Sequence, residues 1–119
     1  MRVFDTLTGE KKPLVDSGVE LKMYACGITP YDASHLGHAR CYLTWDVLRR
    51  FLEFSGLEVT HVQNFTDVDD KIINKAIERG ENPAHLAARF SKQFFDEFDA
   101  LGVLRAHHYP KVTEHVPEI

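Results

Sequence analysis

The chain has 119 residues, 44% of them hydrophobic, which suffices for the core of one small domain. Its formal charge of -4 provides no overall basic field, so a nucleic-acid surface is not expected to lie mainly here. No apolar run approaches the roughly 20 residues of a bilayer span, and Cys26 and Cys41 form no close pair and follow no signal-like leader, which fits a soluble protein of a reducing cytoplasm, without a disulfide framework.

Residues 1–20 read as an N-terminal arm: Val3, Phe4 and Leu7 form a short apolar patch, Thr8-Gly9 a turn, and Lys11-Lys12-Pro13 the return of a small hairpin. Residues 21–25 alternate apolar and polar over a strand length, and Gly27 follows directly. Thr29 to Ser34 is a loop of proline and small polar residues. It leads into a long helix ending at Ser55-Gly56, with Tyr42, Trp45, Leu48, Phe51 and Leu52 spaced by threes and fours and Arg40, Arg49, Arg50 and Glu53 placed on the opposite, polar face.

Residues 58–65 alternate again and carry β-branched side chains, which completes a βαβ unit over residues 21–65. The expected fold class is therefore α/β, with a parallel sheet and flanking helices, and ligands of such sheets sit beyond the carboxyl ends of the strands. Residues 66–119 are expected to form a mainly helical segment: helices over 69–79 and 83–101, the second with a seam of Leu86, Phe90, Phe94, Phe98 and Leu101, and then a stretch with two prolines and no clear period.

Three groups of residues carry chemistry. His35-Leu36-Gly37-His38 lies where the loop enters the first long helix, and a helix N-terminus offers unpaired N–H groups to phosphate oxygens, with two imidazoles as further donors and no side chain at Gly37 to obstruct a nucleotide. Cys26 ends the first strand and could, as a thiolate, ligate zinc, although four ligands are needed and none accompanies it at close spacing; a small buried cysteine is the alternative for it, and is the reading for Cys41. Asn64 to Lys71 closes the second strand. Its aspartates lack the pattern of a calcium loop, so Asp69 and Asp70 are read as helix-capping, while Asn64 and Thr66 stay free to bond a substrate. His107, His108 and His115 are read as part of a solvated tail, and the Phe90-Phe94-Phe98 spacing as core.

Taken together and in this order, the three groups resemble the cysteinyl-tRNA synthetases of class I. Met23 to Asp32 resembles the zinc-cysteine segment of that family, His35-Leu36-Gly37-His38 its HIGH motif, and Val62 to Ile73 its second-strand block. Val3 to Gly9 and Phe98 to Leu104 also have counterparts. The resemblance implies a Rossmann-like (HUP-type) sheet, of which this chain is an incomplete half and the N-terminal portion of the catalytic domain, inactive alone. It implies ATP-dependent activation of L-cysteine to cysteinyl-adenylate, with ATP carried as its Mg2+ complex, and transfer to tRNA(Cys) by a longer parent enzyme, expected to be monomeric.

By the same resemblance His35 and His38 are catalytic and bind ATP together with Gly37 and Cys41. Cys26, Gly27, Thr29, Asn64 and Thr66 line the cysteine and adenylate site, and Cys26 supplies one zinc ligand while the others lie outside this chain. Cys41 departs from the family, which has threonine or another small polar residue there, so a hydroxyl contact is replaced by a weaker thiol one. The ligase joining cysteine to glucosaminyl-inositol in mycothiol synthesis resembles the chain almost as well, and a non-catalytic nucleotide-binding module or a small nucleotidyltransferase stand as readings of other kinds.

Overall fold

The computed structural model describes residues 1–14 and 20–119, so the end of the expected arm, residues 15–19, lies outside the described residues. The chain opens with an antiparallel hairpin of β1 (Arg2–Asp5) and β2 (Glu10–Pro13). Asp5 holds its turn by accepting hydrogen bonds from the Leu7 N–H at 3.0 Å and the Thr8 hydroxyl at 2.7 Å.

The βαβ unit follows as β3 (Glu20–Ala25), α1 (Leu36–Phe54) and β4 (Glu58–Gln63), with β3 and β4 parallel and Leu21 opposite Val59, Ala25 opposite Gln63. Period-two alternation turns Met23 and Val59 toward α1, where they pack with Leu52, Trp45 and Leu48. Two more helices, α2 (Asp70–Arg79) and α3 (Pro83–Ala100), pack on each other through Ile72, Ala76, Leu86, Ala87 and Phe90. Asp69 caps α2 by accepting from the Lys71 N–H at 2.8 Å, and Asp70 occupies its first turn, as negative charge at a helix N-terminus favours.

The seam expected along α3 joins these layers. Phe94 and Phe98 meet the Tyr42 ring edge-on at 5.3 Å each, and Phe94 meets Phe65 at 5.6 Å, so the aromatic cluster spans α1, α3 and the end of β4. Leu101 is not part of it. It follows the last turn of α3 and is 51% exposed.

Other expectations are corrected as well. Residues 107–112 are not a solvated tail, because they run parallel to β4 and take up its free edge: Gln63 N–H donates to the His108 carbonyl at 3.0 Å, Phe65 N–H to the Pro110 carbonyl at 2.9 Å, and Val112 N–H to the Phe65 carbonyl at 3.1 Å. A strand edge satisfies the backbone of this stretch despite its proline, since the bonds alternate past Pro110. Further on, only the short 3-10 turns Val112–Glu114 and Val116–Glu118 follow, largely exposed.

Arg49 is another correction. It is 8% exposed rather than on the polar face, and its guanidinium bonds the Glu53 carboxylate at 2.7 Å and the Arg105 carbonyl at 2.8 Å and lies 3.0 Å from His107 Nε2. Beside it Asp46, 7% exposed, accepts from the Leu104 N–H at 2.9 Å and from Arg50 at 2.8 Å. These polar groups dock the returning chain on α1, and Phe51, expected to face the sheet, is instead 51% exposed.

Candidate active site

The carboxyl ends of β3 and β4 are joined beyond their ladder. Gly27 N–H donates to Asn64 Oδ1 at 2.8 Å, Thr66 N–H donates to the Ile28 carbonyl at 3.0 Å, and Asn64 Nδ2 lies 3.4 Å from Thr66 Oγ1. A Cβ at Gly27 would fall 1.4 Å from the Asn64 carbonyl oxygen. Only glycine allows the two backbones this close. Asn64 thus commits its Oδ1 to holding the two loops together, while its Nδ2 makes one long contact, to Thr66, and keeps a second hydrogen to donate.

Cys26 is exposed at the end of β3, its Sγ making a long contact of 3.8 Å to the Gly27 carbonyl, and its own carbonyl accepts from the Tyr42 hydroxyl at 3.4 Å. Burial among apolar groups pushes the Tyr42 hydroxyl's pKa upward, so it stays a donor. Thr29 is half-buried, its carbonyl bonded by Tyr31 N–H at 3.0 Å. The loop beyond is anchored to α2 by Asp32, whose carboxylate lies 3.7 Å from both Lys75 and Arg79. The Ala33 N–H, and then these two cations, hold the Asp32 carboxyl below the usual range.

His35 and His38 form the N-terminus of α1. His35 Nδ1 accepts from the Gly37 N–H at 3.1 Å and His38 Nδ1 accepts from the His35 N–H at 3.2 Å, a capping box built from two imidazoles stacked 3.9 Å apart at 17°. Because both Nδ1 atoms accept, each neutral ring carries its proton on Nε2, away from the helix backbone. Desolvation and the neighbouring His35 lower the His38 pKa, with Glu97 opposing, so His38 is neutral near pH 7. The first turn of α1 has no acidic residue. The arrangement therefore presents two imidazole N–H donors and a positive helix end with no carboxylate of that turn competing for them, which suits a phosphate chain.

Gly37 and Cys41 share an open cavity of about 250 Å3 with Arg40, Thr44 and Trp45. Cys41 is exposed, not the small buried cysteine expected, since it points away from the aromatic seam that takes Tyr42 one position on. Among the described residues no three His, Cys, Asp or Glu side chains gather as a metal site. Cys26 fits zinc as one soft ligand of a set, and His107 is engaged elsewhere, its Nδ1 accepting from the His61 N–H at 2.9 Å.

Two groups near the site were missed in the sequence. Glu97 shares an open cavity of about 700 Å3 with His35, a proximity that helical spacing on α3 could not reveal. Tyr42 was read as core alone, and nothing in its pattern signals the hydroxyl contact to Cys26.

The family model for the class I (C) tRNA synthetase catalytic domain matches residues 12–119. A cysteine–tRNA ligase of Anaeromyxobacter sp. (strain K) is 56% identical over 100% of this chain and 25% of its own length, and one of Archaeoglobus fulgidus is 49% identical over 100% of this chain and 26% of its own. The chain thus spans about a quarter of the length of the curated relatives it matches. Among solved structures, Mycobacterium tuberculosis methionyl-tRNA synthetase in complex with methionyl-adenylate superposes with a TM-score of 0.69 at 26% identity, over 77% of this chain and 18% of that one. A second structure of that enzyme bound by methionyl-adenylate gives 0.70 at 25% identity, over 78% of this chain and 19% of that one.

Proposed function

Because the chain belongs to the class I (C) tRNA synthetase catalytic-domain family, we propose that it forms part of a cysteine-activating site, in which the carboxylate of L-cysteine attacks the α-phosphorus of ATP, pyrophosphate leaves, and cysteinyl-adenylate then acylates a hydroxyl of tRNA(Cys) with release of AMP. The observation that carries this reading is the stacked His35–His38 capping box, standing beyond the ends of two parallel strands tied through Gly27 and Asn64.

The histidines bind the triphosphate through their Nε2–H groups and stabilise negative charge as it develops on the phosphoryl oxygens, the kind of preorganised donor that lowers such barriers. Gly37 lets the adenosine approach the helix, and Cys41 adds a weak thiol contact beside it. Gly27, Thr29, Asn64 and Thr66 line the amino-acid and adenylate pocket, whose shape depends on the bond from Gly27 N–H to Asn64 Oδ1. Cys26 holds zinc as one of its ligands; when bound, that ion favours a thiol over a hydroxyl, which separates cysteine from serine without an editing step. ATP enters as its Mg2+ complex. The reaction belongs to the cytoplasm, where ATP, cysteine and tRNA meet.

The test is cysteine-dependent exchange of pyrophosphate into ATP by the full-length protein and its Cys26→Ser variant. Exchange that requires cysteine and is lost in the variant is expected; exchange indifferent to Cys26, or driven by another amino acid, would overturn the reading. Charging of tRNA(Cys), as opposed to acylation of glucosaminyl-inositol, identifies the acceptor.

A further inference from the structure

A charged group of α3 to which no role has yet been given borders the cavity beside the histidine pair. Glu97 lies in the last turn of α3 where that helix approaches the start of α1, and the cavity of about 700 Å3 between them is bounded by Ser34, His35, Leu36 and Ala39 on one side and by Glu97 and Phe98 on the other. Its Oε1 accepts from Gln93 Nε2 at 2.7 Å, one turn back, while its Oε2 is buried and finds no hydrogen-bond partner among the described residues. A buried carboxylate oxygen left unpaired costs stability unless charge or dipole offsets it. The positive end of α1 and the imidazoles are the offsets at hand. The rotation of α3 is fixed, moreover, because Phe94 and Phe98 are locked on Tyr42, so the carboxylate is held and not merely adjacent.

We propose that Glu97 is a positioning residue for the adenylate-forming step, setting from α3 the charge and orientation of His38 within the stacked pair. The functional half of this rests on the cysteine-activating reading; the coupling itself does not. The mechanism is electrostatic. Glu97 favours the protonated ring, against desolvation and against His35, the groups that bear on His38 from its surroundings and its own segment. Protonation of His38 would place a hydrogen on the Nδ1 that now accepts from the His35 N–H. Glu97 thus brings the capping box nearer to opening as the negative charge of a triphosphate arrives, against the larger opposing effects of burial and His35.

The experiment is NMR titration of the histidine rings in the chain and in Glu97→Gln, paired with the pH profile of pyrophosphate exchange by the full-length protein. In Glu97→Gln the His38 titration is expected to move to lower pH, with the acid limb of kcat moving alike and KM for cysteine unchanged. Should Glu97→Gln not fold, Glu97→Asp, which keeps the charge but withdraws it by one methylene, is expected to give an intermediate shift. A His38 curve that stays in place in a folded variant overturns the proposal, as does a shifted ring with an unaltered exchange profile. A shifted ring in a protein that shows no exchange at all leaves the coupling standing and removes instead the cysteine-activating reading.

Discussion

Replacing Gly27 with alanine tests the geometry on which the candidate site depends. The new Cβ would lie 1.4 Å from the Asn64 carbonyl oxygen and 2.6 Å from its carbonyl carbon, both backbone atoms, so no rotamer change relieves the contact. Ordinary packing needs about 3.4 Å or more, and the two loops must therefore part by about 2 Å. That movement breaks the 2.8 Å bond from Gly27 N–H to Asn64 Oδ1 and strains the neighbouring one from Thr66 N–H to the Ile28 carbonyl. Overpacking costs about 1–3 kcal/mol, and a lost hydrogen bond with its partner left half-buried about 1–2 kcal/mol more. The sum, about 2–5 kcal/mol, lowers Tm by about 8–20 °C for a domain of this size. Thermal and urea unfolding followed by circular dichroism measure it. Gly37→Ala is the control, because its added Cβ meets only the movable His35 ring, at 2.8 and 2.9 Å, and should disturb the capping box at less than half that cost. A Gly27→Ala protein within about 1 kcal/mol of the parent would refute the close approach of the strand ends.

Phe94→Ala should cost about 3–5 kcal/mol, because Phe94 is buried and meets Tyr42, Phe65, Phe95 and Phe98; chemical denaturation gives the value. Asp46→Ala removes the acceptor of the buried-side bonds from Leu104 N–H and Arg50 and should cost about 2–3 kcal/mol, seen together with faster amide exchange across residues 104–112. His61 is buried, neither ring nitrogen has a hydrogen-bond partner among the described residues, and burial, followed by Arg49 and His107, lowers its pKa from 6.5. The unfolded chain then binds the proton more readily, so the stability that a neutral His61 permits is present above about pH 6.5 and is lost as pH falls toward the lowered folded value; a pH series of urea midpoints should show that loss, and His61→Leu should flatten it. Zinc in the isolated 119-residue chain should fall well below one per chain after dialysis, since one thiolate holds the ion poorly, and mass spectrometry of metal content would contradict this by finding a full equivalent.

The parts legible in the sequence were those governed by local periodicity and capping. The alternation through Met23 and Val59, the Leu86-Phe90-Phe94-Phe98 spacing and the acidic start of α2 each follow from one element's own residues, and each element formed where its pattern lay. What escaped depends on contacts between segments far apart in the chain. Arg49 looked solvent-facing because its helix position is polar, yet its partners are the Arg105 carbonyl and His107, 56 and 58 residues away. The structural bond of Asn64 Oδ1 could not be read because its partner Gly27 lies 37 residues earlier. Residues 107–112 looked irregular because a single run pairing along another strand needs no periodicity of its own, only backbone donors and acceptors at the right height.

The same long-range contacts explain why the helix N-terminus is placed well enough to matter. A capping box of two imidazoles fixes the rings relative to α1 but says nothing of where α1 sits against the strands. That second constraint comes from three directions: Tyr42 bonds the Cys26 carbonyl and packs on Phe94 and Phe98, Asp46 takes the Leu104 N–H, and Arg49 takes the Arg105 carbonyl. Tyr42, Asp46 and Arg49 are spaced by four and three, one stripe of α1, so the helix cannot rotate without breaking all of them. The polar residues in this stripe are costly to bury, and an apolar stripe would stabilise as much or more. Directional bonds, unlike apolar contacts, fix the rotation and height of α1, and it is the rotation that decides whether His35 and His38 face the ends of β3 and β4.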